Sequence, residues 1–221
     1  MSQTIWEIGV TTTILSALIP AVILWSRFNR QPLPWKWLAI LSGLSCFTDI
    51  ASGFLTPWVN PNISVLFYVL PGTLIVSFFF YYAIGWKKLR GPLIAINILY
   101  LTFGIVNALH LQKISLNSYT IVLHVLIILF LSICYFYKLL KELPAQQLQS
   151  LPLFWVVSGL FFTNAGKLCV YSITHYLVHF VQDNLLIIWT FHNFLSIIAN
   201  LLIGYGAWLN HKQLRSTSLS L

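Results

Sequence analysis

The chain has 221 residues, of which 58% are hydrophobic and only 7% charged, and its mean hydropathy is +0.84. A soluble domain carries roughly a quarter charged residues, so this chain lacks the polar surface of a water-soluble globule. The formal charge of +8 does not signal nucleic-acid binding, because the basic residues are scattered over short segments between apolar runs, as membrane topology requires.

Seven apolar runs are each long enough to cross a bilayer as a helix, at about 5–25, 36–56, 63–86, 91–110, 118–138, 152–176 and 185–209. The expected fold class is therefore all-α: a polytopic membrane protein, a seven-transmembrane-helix bundle forming a single membrane domain over residues 1–221. The alternating segments of a membrane β-barrel are not seen. The first run has no basic segment ahead of it and exceeds the length of a signal-peptide core, so it reads as a retained helix. NRQPLP, PWVNPN and WKKLRGP supply turn chemistry after the first three runs. Pro20 and Pro71 fall inside runs and predict kinks of the kind neighbouring membrane helices tolerate.

Arg27, Arg30, Lys36, Lys87, Lys88, Arg90, Lys138, Lys141, Lys212 and Arg215 all flank one side of such a bundle, and Lys113 alone flanks the other. This asymmetry predicts the N-terminus outside and the C-terminus cytoplasmic in a multi-pass membrane protein. Trp25, Trp35, Trp37, Trp86, Trp155 and Trp208 are expected to mark the inner interface, and Trp6 and Trp58 the outer one. The longest cytoplasmic connection, KLLKELPAQQLQSLP (138–152), is too short for a kinase or nucleotide-binding module. Cys46, Cys134 and Cys169 all fall inside runs without CxxC spacing, so they indicate neither a disulfide framework nor a zinc knuckle.

Polar residues recur at helical spacing inside the runs: Ser42, Ser45, Asp49 and Ser52; Asn97, Tyr100, Gly104 and Asn107; Asn193, Ser196, Asn200 and Gly204. Most small ones are ordinary packing surface in a membrane bundle. Asp49 and Lys167 are different, because a charge in the hydrocarbon core costs at least about 2.5 kcal/mol unless it is paired or solvated. Lys167 heads a stripe with Asn164, Tyr171, His175 and His179 at steps of three and four. A rise of about 1.5 Å per residue puts Asp49, counted from Trp37, and Lys167, counted from Trp155, both about 18 Å above the inner belt. The same ruler puts His124 at about 20 Å, Asn107 at about 22 Å and His192 at about 24 Å. Asp49 and Lys167 are thus expected to pair, or to share a watery cavity, within a pocket lined by Asn107, His124, Asn164, His192 and Asn193.

His175 and His179 stand one helical turn apart and, with His192, are candidate zinc ligands. His124 and His192 are the candidate axial ligands for a haem. Headgroup-solvated histidines, or a pH response, are the competing readings. Retinal is disfavoured: the microbial rhodopsins carry their lysine in the seventh helix, and the seventh run here has none.

PLFWVVSGLFF (152–162), together with His192 and Asn200 in the last run, resembles uncharacterised bacterial seven-helix proteins, some suspected of working beside signalling kinases. That resemblance implies a helical bundle and a sensory role, and the expected location is a bacterial inner (cytoplasmic) membrane. Ser45, Asp49, His175, His179 and His192 also supply the residue types by which a family of seven-helix membrane hydrolases holds zinc. The leading expectation is a protein that binds a small molecule, or senses an external condition, in a pocket opening outward. It would signal through a membrane or cytoplasmic partner, using 138–152 and the tail as contacts. The alternatives are a membrane enzyme with a metal or haem on the outer histidines, and a small-molecule carrier. No particular reaction is indicated.

Overall fold

The computed structural model describes residues 3–55, 65–111, 118–142, 147–180 and 185–219, with side chains placed for 7–51, 67–111, 118–142, 147–171 and 190–216. Among these residues there are seven long α-helices and no strand. They are α1 (Gln3–Trp25), α2 (Leu33–Leu55), α3 (Leu70–Ile84), α4 (Arg90–Val106), α5 (Ser118–Glu142), α6 (Pro152–Phe180) and α7 (Leu185–Leu219). Five described segments, Glu7–Trp25, Phe67–Ile84, Lys87–Leu111, Ser118–Glu142 and Pro152–Tyr171, are long and apolar enough to cross a membrane. Their length, together with the Leu, Ile and Phe side chains exposed along them, identifies a helical protein built to lie in lipid.

Neighbour relations give the bundle its plan. α1 packs between α2 and α7, α2 against α3, α3 against α5, α5 against α6, and α6 against α7, which closes a ring of six helices. α4 stands outside the ring, against α3 and α5. Its lipid-facing Ile94, Ile98, Leu99, Ile105 and Val106 are exposed, while Tyr100 and Gly104 turn inward. The tightest seam is α6 on α7. A Cβ on Gly206 would stand 2.6 Å from the carbonyl oxygen of Pro152, so only glycine permits this approach. In a membrane, where lipid tails are as apolar as leucine, such backbone contact replaces the hydrophobic effect as the source of helix association.

Connections at the end carrying most of the arginines and lysines, the basic end, are compact. Gln31 donates to the carbonyl of Leu24 at 2.9 Å, and the Trp25 indole N–H donates to that of Ala39 at 2.9 Å. Trp25 stacks on Phe28 with centroids 5.0 Å apart, and Lys36 lies over the same Phe28 ring. α3 stops at Gly85, whose φ of 71° is the left-handed conformation a helix C-cap needs. Trp25 and Trp208 are about half exposed, as expected of interfacial tryptophans, but Trp35 is only 3% exposed and faces the bundle interior. Position in the sequence could not distinguish it, because Trp35 and Trp37 sit on opposite sides of the first turn of α2.

At the opposite end, the far end, two single-turn π segments interrupt the ladder: Val65–Val69 ahead of α3 and Asn107–Leu111 after α4. The first gives way to α-helix at Leu70 and Pro71, where proline has no N–H to continue either ladder. Pro20 lies within an unbroken α1, beside Gly204 of α7, whose added Cβ would meet Ile19 at 3.0 Å.

Along the ring axis the interior changes character. The half toward the basic end is apolar, built on Leu38, Phe79, Phe80, Leu131, Val156 and Val157, each at most 1% exposed. The half toward the far end is polar.

Candidate functional site

The polar half is assembled from side chains of five ring helices. α2 supplies Asp49 and Ser45, the π turn ahead of α3 supplies Tyr68, and α3 itself supplies Thr73. α5 supplies His124, α6 supplies Asn164, Lys167 and Tyr171, and α7 supplies His192 and Asn193.

Lys167 is the electrostatic centre. It lies close enough to Asp49, His124 and His192 for its charge to act on all three. Asp49 acts in turn on Tyr68, and Tyr68 lies in electrostatic range of Tyr171. The Tyr68 hydroxyl reaches the Ser45 hydroxyl at 3.4 Å, a long bond. The Tyr171 ring meets His192 edge-on, with centroids 6.1 Å apart. The structure therefore brings the two intramembrane charges into one layer, with two imidazoles and two phenols around them.

The Thr73 hydroxyl donates to the Val69 carbonyl at 2.7 Å, and the same oxygen lies 2.6 Å from His124 Nδ1. In the tautomer with its proton on Nδ1, His124 donates to Thr73 Oγ1 and keeps a lone pair on Nε2. Thr73 thereby acts on the site through His124.

Three expected pocket residues sit differently from one another. Asn164 is 3% exposed and turns its amide back to the Leu160 carbonyl at 2.7 Å, within its own helix. Asn193 is held at the α1 seam, where the Thr13 hydroxyl reaches its carbonyl at 3.4 Å and Gly9 leaves room for its side chain. Asn107 is fully buried but lies off the ring, on the turn after α4, where it donates to Thr120 Oγ1 at 2.9 Å. Thr120 also meets Tyr100, whose hydroxyl lies 3.4 Å from the Thr120 carbonyl.

The side chains of His175 and His179 lie outside the described residues, as do those of Trp6, Trp58 and Lys113. Among the described residues no three histidine, cysteine, aspartate or glutamate side chains converge as a metal site. His124 and His192, the candidate haem ligands, both lie within range of the Lys167 charge. The three cysteines are free thiols.

Thr73 and Tyr68 were not legible as site residues. A threonine or tyrosine inside an apolar run carries no signal of its own, and the π turn changes the helical phase by which Tyr68 faces inward. Ser45 and Tyr171 were visible as members of helical stripes. The layer brings an amine, a carboxyl group, imidazoles and phenolic hydroxyls near one another. No protein-family model matches this chain, and neither a curated protein nor a solved structure matches it.

Proposed function

We propose that the chain is a seven-span membrane protein, with its N-terminus outside and its C-terminus in the cytoplasm, that binds a small polar molecule in the Lys167 layer. Binding there is passed to a membrane or cytoplasmic partner. The observation that carries this reading is the placing of Lys167 among Asp49, His124 and His192, contributed by four different ring helices. A ligand bridging groups on separate helices favours one arrangement of those helices over another, which is what a sensor needs. Buried charges are rare in membrane spans and concentrate along ligand and ion pathways. The basic loops at one end support the orientation.

The reading is tested by thiol labelling in spheroplasts. Cys46, Cys134 and Cys169 are first changed to serine, and then Ser45→Cys or Val157→Cys is introduced. A membrane-impermeant methanethiosulfonate added outside is expected to modify the Ser45→Cys protein and to leave Val157→Cys, in the apolar half, unmodified. Modification only from the cytoplasmic side, or at neither position, contradicts an outward-opening polar layer.

A further inference from the structure

We propose that the cleft at the basic end is a second binding site, which takes an amphiphilic monocarboxylate on Lys138 and Asn210. This cleft, of about 350 Å³, is walled by α2, α3, α5, α6 and α7 and includes Trp35, Tyr135, Lys138, Glu142, Leu151 and Asn210 among its lining. The apolar half of the bundle separates it from the Lys167 layer. It is therefore a different site from the one argued above, and its proposal does not depend on that reading.

Two features point to a ligand with an acceptor head. Asn210 is 7% exposed, and its Nδ2 has no hydrogen-bond acceptor among the described residues. A buried amide donor left without an acceptor is costly, and folded proteins rarely keep one unless something else supplies the oxygen. Lys138 adds a cation on the same cleft. Its Nζ lies 3.4 Å from the Ala83 carbonyl and 3.6 Å from Glu142 Oε2. An ammonium has three protons, so one remains after those two contacts. The Glu142 partner is half exposed and stands one helical turn away, an arrangement too weak to neutralise Lys138 against a better-placed carboxylate.

The rest of the wall selects the body of the ligand. Trp35, Tyr135 and Leu151, with Ala83, Leu139, Pro152 and Leu153, give it apolar surface. A carboxylate placed between Lys138 Nζ and Asn210 Nδ2 would use both donors, while its hydrocarbon covers that wall. A neutral alcohol gains no charge interaction with Lys138, and a cationic amphiphile is repelled by it. A cleft of this size is at the small end of ligand sites, which suits a chain of about ten carbons.

The test uses the full chain in phosphatidylcholine nanodiscs, titrated with decanoate, decanol or decyltrimethylammonium. Thermal unfolding and tryptophan fluorescence, to which Trp35 in the wall contributes, are recorded. Decanoate is expected to raise the unfolding midpoint saturably, and the other two are not. Lys138→Met and Asn210→Leu are each expected to weaken decanoate binding at least about ten-fold, whereas Lys138→Arg retains it. Without ligand, Asn210→Leu is expected to unfold at the wild-type temperature or above, since it removes a donor that has no acceptor; this separates lost binding from lost folding. Should Asn210→Leu fail to fold, the contrast between Lys138→Met and Lys138→Arg decides. Equal decanoate affinity in wild type and Lys138→Met, or no saturable decanoate effect, overturns the proposal.

Discussion

Lys167 and Asp49 each stand twelve residues from a tryptophan at the basic end, and each lies within range of the other's charge. The role of Thr73 was not legible in the sequence, because its effect passes through a hydrogen bond to His124 on another helix. Nor was the setting of Asn107, whose helix α4 stands outside the ring, against α3 and α5. At this scale His211 offers a pH test, just beyond the apolar run 185–209 on α7. Burial, and then the positive charges of Arg27 and Arg215, hold its imidazole below the ordinary 6.5. Its Nε2 is buried without a hydrogen-bond partner among the described residues. Because the folded value is the lower one, the unfolded chain takes up the proton first as pH falls. The contribution to stability is complete above about pH 6.5 and is lost as pH drops below it. His211→Gln is expected to shrink the loss of unfolding temperature between about pH 7.5 and about pH 5.5. An unchanged pH dependence would contradict this account of His211.

Helix positions followed from run length, since an apolar run of about twenty residues in this composition has one structure available to it. Their ends followed less well. α5 continues to Glu142 and α7 to Leu219, beyond the apolar runs, because lysine, arginine, glutamine and leucine sustain a helix in water as readily as in lipid. At about 1.5 Å per residue, the 35 residues of α7 extend about 52 Å, well past a hydrocarbon core of about 30 Å. The π turns were not legible either, as nothing in VLFYV or NALHL distinguishes them from α-helix. The α6–α7 seam supplies the test at this scale. Gly206→Ala places a methyl 2.6 Å from the Pro152 carbonyl oxygen and 2.8 Å from Val156 Cγ2. It is expected to cost about 1–3 kcal/mol, as overpacking of a close seam does. Gly72→Ala, where a Cβ meets nothing within 4 Å, is expected to be neutral or to stabilise by up to about 1 kcal/mol. Chemical or thermal unfolding of the two variants in one detergent compares them directly; equal stabilities would contradict the described seam.

Across the whole molecule, the six-helix ring puts Asp49 and Lys167 within range of each other's charge. Lys167 and Asp49 sit on α6 and α2, which are not consecutive in the ring; an interaction between them therefore reports on the interior and not on a single helix seam. Removing one member of a buried pair strands the other, at a cost of about 3–5 kcal/mol, whereas removing both leaves no uncompensated charge. The direct measurement is a double-mutant cycle on the unfolding of Asp49→Asn, Lys167→Met and the combined variant. The account predicts that each single substitution destabilises strongly and that the double variant recovers most of the loss. Additive losses, with the double variant as unstable as the sum of the singles, would contradict a paired charge layer at the centre of this protein.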